Sequence, residues 1–392
     1  MRVDLLDPPA YSPPYDDALA RALINEGVQV RLLTSHFAYG QVPEAIGYER
    51  CELFYRGAWG AAGSKLRSAT KLALHIPQLL RYARALSAPG AAPDLIHIQW
   101  LTIPWLDLRL LPKLPTVLTI HDPLGRGPLP GPKPDLRRLA AVIVHSDYAR
   151  AAVIEQHGLA PERVHVIRHG VLGAGLGGVE AQPGGVQVLA GVEPPGGGSS
   201  IGSGGADSLP PELPESELPV VLCFGLIRPY KGIEVLLRAW EGIQGAQLWI
   251  VGRPMMDISA LQAAAPVNVH FLPRFVSPDE EAALYARAAL AVLPYERSER
   301  FGFSGVLATA LGAGKAIVLS EVGGLSEVAA LGAARGVAPA DPVQLHAALQ
   351  ELIDDPAARA TLSAAASAAA TEVYSWKAAA RATVKLYEQI CA

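Results

Sequence analysis

The stretch "LPVVLCFGLIRPYKGIEVLLRAWEG" (residues 218–242) carries the reading of the fold. "LPVVLCFG" is an apolar run without polar alternation, the pattern of a strand covered on both faces. "IEVLLRAWEG" reads as a helix. A strand that passes through a short turn into a helix is the repeating unit of a parallel α/β sheet. The turn holds two cations, Arg228 and Lys231, around a stiff Pro-Tyr pair. Strand ends in open α/β sheets are where ligands are held, so fixed positive charge there predicts an anionic ligand. The plainer alternative is a pair of solvated loop cations.

The same alternation extends in both directions. Upstream, "RVDLL", "VQVRLLT", "DLIHIQW", "TVLTIH", "AVIVHS" and "RVHVIRHG" read as strands. "DDALARALINEG" reads as a helix capped by Asp16 or Asp17 and stopped by Gly27, and "SDYARAAVIEQHG" as one capped by Ser146 and closed by Gly158. Downstream come strands "AQLWIVG", "NVHFL", "LAVLPY" and "KAIVLS". Between and after them lie a short helix from Asp257, helices "PDEEAALYARA" and "SGVLATALGAG", helical segments 341–353 and 357–371, and a tail to residue 392. Residues 171–217 break the rhythm: Gly, Pro and Ser dominate, and such a stretch cannot bury enough surface to order itself. Its formal GxGxxG at Gly173, Gly175 and Gly178 lacks the strand-to-helix setting a dinucleotide fingerprint requires. The expected organisation is an N-terminal domain over 1–170, a linker over 171–217, a second domain over 218–371 and a C-terminal helix over 372–392. Both domains read as Rossmann-like, doubly wound α/β folds facing each other across a cleft.

Bulk properties narrow the function. At 392 residues the chain is too long for one ordinary core. A formal net charge of −4 argues against a general nucleic-acid binder, so any basic site is local. Three scattered cysteines without metal-ligand spacing read as inert thiols of a reducing compartment. "MRVDLLDPPAY" has no hydrophobic core region of a signal peptide, and no apolar run is long enough to span a bilayer. A cytoplasmic setting is expected.

Two further segments bear on chemistry. In "FGFSGVLATALGAGKAIVLSEVGG", Ser304 and Gly305 open a helix whose unpaired N–H groups attract phosphate, and Gly323 and Gly324 form a second close-approach turn. The alternative is an N-cap serine with helix-stop glycines. "SKLRSATKLALHIPQLLRYARALS" (64–87) sets Lys65, Arg67, Lys71, Arg81 and Arg84 among leucines and alanines, with Pro77 as an interruption. Such a basic amphipathic helix suits an anionic membrane surface and a lipid-linked acceptor, or simply packs its leucines on the sheet.

The segments "FGLIRPYKGIEVLLRAW", "WIVGRP", "FLPRFVSPDEEAALYARAALAVLPY" and "SGVLATALGAGKAIVLSEVGGLSEV" resemble the group 1 (family 4) retaining glycosyltransferases of the GT-B fold. "TIHDPL", "VIVHSDYAR" and "VHVIRHGV" resemble the acceptor half of that family. The resemblance implies that Arg228 and Lys231 hold the diphosphate of a UDP- or GDP-type nucleotide sugar. Gly225, Gly252, Ser304, Gly305, Gly323 and Gly324 would complete the donor site. Arg274, Phe275 and Val276 would cradle the base, largely through the backbone. His121 would be the histidine beside the sugar and acceptor; on its own residues it is equally a strand-end packing residue, and Asp122 a turn cap.

Two departures stand out. The family's pair of acids eight residues apart is incomplete. One alignment places Phe301 and Thr309 there, leaving Thr309 as a neutral substitute on the ribose; the other places Glu299 and Leu307. The first βα turn is "DPPAYSPPYDDA" rather than a Gly-Gly turn, and proline offers no N–H to a phosphate. No DxD sequence occurs, which agrees with cations rather than a metal handling the diphosphate. No cofactor beyond the nucleotide-sugar co-substrate and no nucleic-acid partner is expected. The resulting expectation is a metal-independent retaining transferase acting on a glycan or lipid-linked acceptor. The rival readings are a non-catalytic nucleotide-sugar binder, a sugar-nucleotide epimerase and a phosphorylase. The C-terminal helix with Trp376 and Tyr387 either braces both domains or packs as an ordinary terminal helix.

Overall fold

A computed structural model describes residues 1–37, 42–61, 64–121, 131–173, 209–297 and 302–392. Among these, 1–168 and 376–392 form one unit, and 169–173 and 209–375 form the other. Asp122, Glu299, Phe301, Gly175 and Gly178 lie outside the described residues, as does the middle of the expected linker.

In the N-terminal unit, the described residues form a parallel sheet of β1 (Arg2–Asp7), β2 (Gln29–Ser35), β3 (Glu49–Phe54), β4 (Leu95–Ile98), β5 (Thr116–Thr119), β6 (Ala141–Val144) and β7 (Val164–Val166). Their order is β3-β2-β1-β4-β5-β6-β7. The order reverses direction between β1 and β4, the switch point of a doubly wound fold. Strands such as "LIHI" and "AVIV" are buried along their whole length, which explains their unbroken apolar character. Helices α1 (Pro13–Asn25), α2 (Lys65–Ala85), α3 (Pro104–Leu110) and α4 (Asp147–His157) accompany them. Ser146 caps α4, its Oγ accepting from the Ala149 N–H at 3.0 Å, and Gly158 closes it in the left-handed conformation at φ 60°.

Three local expectations change. Neither Asp16 nor Asp17 caps α1, because Pro13 and Pro14 pre-set the helical φ and start the helix a turn earlier, with Ser12 at the cap position. Pro77 does not interrupt α2; its ring is exposed, so the helix forgoes one backbone bond and continues. Strand β3 was not anticipated because an edge strand with half-buried residues shows neither an apolar run nor clean alternation.

The C-terminal unit repeats the plan. β8 (Val220–Phe224), β9 (Gln247–Val251), β10 (Val269–Leu272), β11 (Leu290–Leu293), β12 (Ala316–Ser320) and β13 (Arg335–Val337) pair in parallel in the order β10-β9-β8-β11-β12-β13. The switch point here falls between β8 and β11. The helices are α5 (Ile233–Trp240), α6 (Ser259–Ala264), α7 (Pro278–Arg287), α8 (Gly305–Gly312), α9 (Leu325–Ala330), α10 (Pro342–Asp354) and α11 (Pro356–Glu372). Trp240 and Trp249 are fully buried on opposite sides of this sheet, in its two core layers. Leu213 is buried in one of those cores and Leu209 packs against it. Packed chain therefore includes Val171 and residues 209–213, inside the stretch expected to be linker, because apolar side chains among the prolines and glycines find apolar surface to cover. The last helix, α12 (Trp376–Cys391), belongs to the N-terminal unit, where it packs on α1. Among the described residues no helix is long and apolar enough to cross a membrane.

The turn between β8 and α5 depends on Gly232. Its φ is 67°, and a Cβ there would lie 1.8 Å from the Pro294 carbonyl oxygen. Gly232→Ala should therefore destabilise the protein by at least about 2 kcal/mol, from left-handed strain plus the displaced β11 end. Urea denaturation followed by tryptophan fluorescence checks this; an unchanged midpoint would mean that the turn relaxes freely.

Candidate functional site

In the C-terminal unit the ends of β8 and β9 are pressed together. Gly225 donates its N–H to the Val251 carbonyl at 2.9 Å, and a Cβ on Gly252 would come within 2.1 Å of the Gly225 carbonyl oxygen. Gly225 has φ 103° and Gly252 φ 143°, so both positions need glycine. A side chain at Gly225 would also meet Val306 at 2.8 Å. The strand ends, the following turn and the start of α8 are thereby drawn to one place.

Lys231 ends the 3₁₀ turn Pro229–Lys231 and points inward, with 6% of its surface exposed. Its ammonium donates to the Tyr295 hydroxyl and lies 4.1 Å from the centre of that ring and 5.8 Å from that of Tyr230. Tyr295 Oη lies 3.3 Å from Ser304 Oγ, and Ser304 Oγ caps α8 by accepting from the Leu307 N–H at 3.4 Å. A polar chain therefore runs across the switch point, from the β8 turn to the N-terminus of α8. Burial pushes the Lys231 pKa down, and the nearby Arg228 guanidinium adds to that. Arg228 is half-buried and opens the same turn. The two cations are therefore neighbours, set at the strand ends.

The other expected donor residues take varied positions. A Cβ on Gly305 would meet nothing within 4 Å among the described residues, so α8 is open at its first residue. Thr309 is buried, and its hydroxyl donates to the Gly305 carbonyl at 3.2 Å, turned back on its own helix. Gly323 adopts φ 52°, and Gly324 stands at the start of α9. The Arg274 guanidinium is clamped between two carboxylates, Glu212 at 2.8 Å and Glu280 at 2.7 Å, which hold its pKa above the ordinary value. The Arg274 side chain is thereby committed to those two carboxylates. Val276 packs on the core, and the Phe275 ring lies 5.4 Å from the Arg253 guanidinium.

In the N-terminal unit His121 follows β5 and is half-buried. Its Nε2 lies 3.2 Å from Gln99 Oε1 and its Nδ1 lies 3.3 Å from His145 Nε2. Trp100 stacks on the ring at 4.8 Å, and Tyr15 meets it edge-on at 4.7 Å. His145, after β6, is 3% exposed, and its Nδ1 donates to the Ile167 carbonyl at 2.9 Å. His97 in β4 shares protons with Tyr387 at 2.5 Å and Thr119 at 2.7 Å. Burial lowers the His97 pKa to about 3 and that of His145 to about 4, so both rings are neutral at pH 7.

The β1–α1 turn closes on an acid rather than an anion site. Asp7 Oδ2 accepts from the Ser12 N–H at 3.2 Å, and Asp7 and Asp16 are both almost wholly buried. Burial raises both pKa values, and the neighbouring Asp7 charge pushes that of Asp16 up further.

Sequence reasoning missed Tyr295, Arg253, His97, Gln99, His145, Tyr15 and Trp100. Each lies in or just past a recognised strand or helix, but nothing in the sequence says which strand ends are neighbours.

Comparison with known proteins agrees with this fold. Residues 218–355 match the family model "Glycosyl transferases group 1", and residues 17–171 match "Glycosyltransferase Family 4". The MMP alpha-(1->4)-mannosyltransferase of Mycolicibacterium hassiacum is 39% identical over 121 residues, 30% of this chain and 28% of that protein. Across it and three further curated glycosyltransferases, the chain spans 28% to 42% of the relative's length. Among solved structures, sucrose-phosphate synthase from Thermosynechococcus elongatus superposes with TM-score 0.67 at 19% identity, covering 100% of this chain and 99% of that one. Anabaena HepE in complex with UDP and glucose does so with TM-score 0.62 at 17% identity, covering 99% and 100%. Two parallel α/β sheets on this plan are the GT-B architecture. With one family model on each half, the chain belongs to the group 1, family 4 glycosyltransferases.

Proposed function

We propose that this protein transfers a sugar, with retention of configuration, from a nucleotide-sugar donor to a glycan or lipid-linked acceptor, without a metal. The observation that carries the reading is the Lys231 ammonium. It is buried, and its partners among the described residues are a neutral hydroxyl and two neutral rings. Burying a cation without a counter-charge is costly, and an anionic ligand removes that cost. A diphosphate beside Lys231 and Arg228, facing the N–H groups of α8, meets point charge, guanidinium and helix dipole together. These groups act most strongly on the charge that builds on the leaving phosphate as the bond to the sugar breaks. The departing phosphate then takes the acceptor's proton, and the protein supplies alignment rather than a nucleophile. His121 is assigned to a hydroxyl of the transferred sugar. Gly225, Gly252, Ser304, Gly305, Gly323 and Gly324 form the donor cradle, and the 274–276 backbone holds the base. HepE was crystallised with UDP-glucose, so UDP sugars are the first donors to try, followed by GDP sugars.

Thr309 favours one rival reading. With its hydroxyl spent on Gly305 it offers the ribose less than an acid would, as expected of a protein that binds donor without turning it over. A donor panel with slow hydrolysis and acceptor transfer as readouts separates the two. Lys231→Ala should lower kcat/KM by about 10²-fold or more with the thermal midpoint nearly unchanged. Unchanged turnover removes Lys231 from the mechanism, and donor binding without turnover on any acceptor favours the binder. Activity should also survive exhaustive chelation with EDTA.

The acceptor side has a surface that suits lipid. Trp59 is 74% exposed, and at the start of α2 Leu66 is 60% exposed beside the exposed Lys65, with Arg81 and Arg84 exposed further along the helix. Arg67 is bound to the carbonyls of Ala58 and Gly60, and Lys71 lies over the Tyr55 ring, so part of the expected basic face is used internally. In sedimentation with vesicles, the protein should bind those containing phosphatidylglycerol and not pure phosphatidylcholine. Replacing Trp59 and Leu66 together by serine should weaken that binding at least about tenfold. No binding to anionic vesicles would leave α2 as a packing helix.

A further inference from the structure

The proton positions around His121 follow from one fixed end. Ile167 offers a carbonyl oxygen, which only accepts, so His145 must carry its proton on Nδ1 to make the 2.9 Å contact. A neutral His145 then presents a lone pair at Nε2. That atom lies 3.3 Å from His121 Nδ1, which must therefore be the donor. The ring cannot swing away, because Trp100 stacks on one face at 4.8 Å and Tyr15 closes on it edge-on at 4.7 Å.

We propose that His145 is a positioning residue for His121, setting its tautomer so that the proton sits on Nδ1 and all exchange with a substrate hydroxyl runs through Nε2. This rests on the reading that His121 serves the sugar. The consequence reaches Gln99, whose Oε1 lies 3.2 Å from His121 Nε2 and whose amide nitrogen lies 3.3 Å from His97 Nε2. A protonated Nε2 donates to Oε1 as the amide stands. A bare Nε2 requires the amide to turn and present its NH₂, which His97 permits by moving its own proton to Nε2. A sugar hydroxyl at His121 therefore competes with Gln99 for one defined ring atom, and His145, two strands from Gln99, decides which atom that is.

Histidine ring nitrogens labelled with ¹⁵N report the tautomer directly in the full chain at pH 7, and a His121→Asn spectrum assigns the signals of residue 121. In the wild type, His121 should show a protonated Nδ1. In His145→Leu, which offers no acceptor, the proton should move to Nε2, the form a free histidine side chain prefers. Turnover should fall about 10²-fold with donor KM unchanged. His145→Gln, whose side-chain oxygen restores an acceptor, should keep Nδ1 protonated and recover much of the rate. A wild-type His121 protonated on Nε2 alone overturns the proposal, as does a His145→Leu protein with the wild-type tautomer. The wild-type spectrum decides the point even where the leucine variant fails to fold. The spectrum is independent of turnover. An Nδ1–H His121 in a protein inactive on every donor overturns the transferase reading and leaves the tautomer assignment standing.

Discussion

The site depends on keeping a protonated amine out of water. Lys231 reaches its position because the chain after β8 makes a tight 3₁₀ turn and then reverses at Gly232, where no side chain fits beneath the Pro294 carbonyl. Desolvation opposes the charge; the Tyr295 hydroxyl and two aromatic faces offset part of that cost. The balance leaves an ammonium that gains most when an anion arrives. The close approach of Gly225 and Gly252 and the capped start of α8 all serve to hold the strand ends around that one charge.

The N-terminal unit solves a different problem with the same sheet. Several of its strand ends carry hydrogen-bonding groups: His97, Gln99, His121 and His145 form one connected network. Burial keeps His97 and His145 uncharged near neutral pH, so they act as ordered donors and acceptors. The first turn of this unit is occupied by Asp7 and the buried Asp16, which disfavours a phosphate there. In the proposed function, the C-terminal unit holds the anion and the N-terminal unit orients hydroxyl-bearing groups.

Much of this architecture was legible along the chain. Apolar runs marked the fully buried strands, Ser146 and Gly158 marked both ends of α4, and the Arg228–Lys231 pair marked a turn where positive charge sits at a strand end. Edge strand β3 and the three-residue β13 escaped because neither buries enough of itself to leave a periodic signal. Pro13 and Pro14 outweighed the acidic caps, and Leu209 and Leu213 turned the end of a Gly/Pro/Ser stretch into packed chain.

The amino-acid order alone determined the class of fold, the two-part organisation and the place where positive charge meets a strand end, since all three rest on local periodicity and composition. Tertiary structure alone decided that Tyr295 receives the Lys231 ammonium, that Thr309 spends its hydroxyl on its own helix, that Arg274 is clamped by two glutamates and that His145 faces His121. The reason is geometric. In a parallel sheet, neighbouring strand ends come from segments separated by a whole crossover, and side chains 24 residues apart, such as His121 and His145, meet only once strand order and register are set.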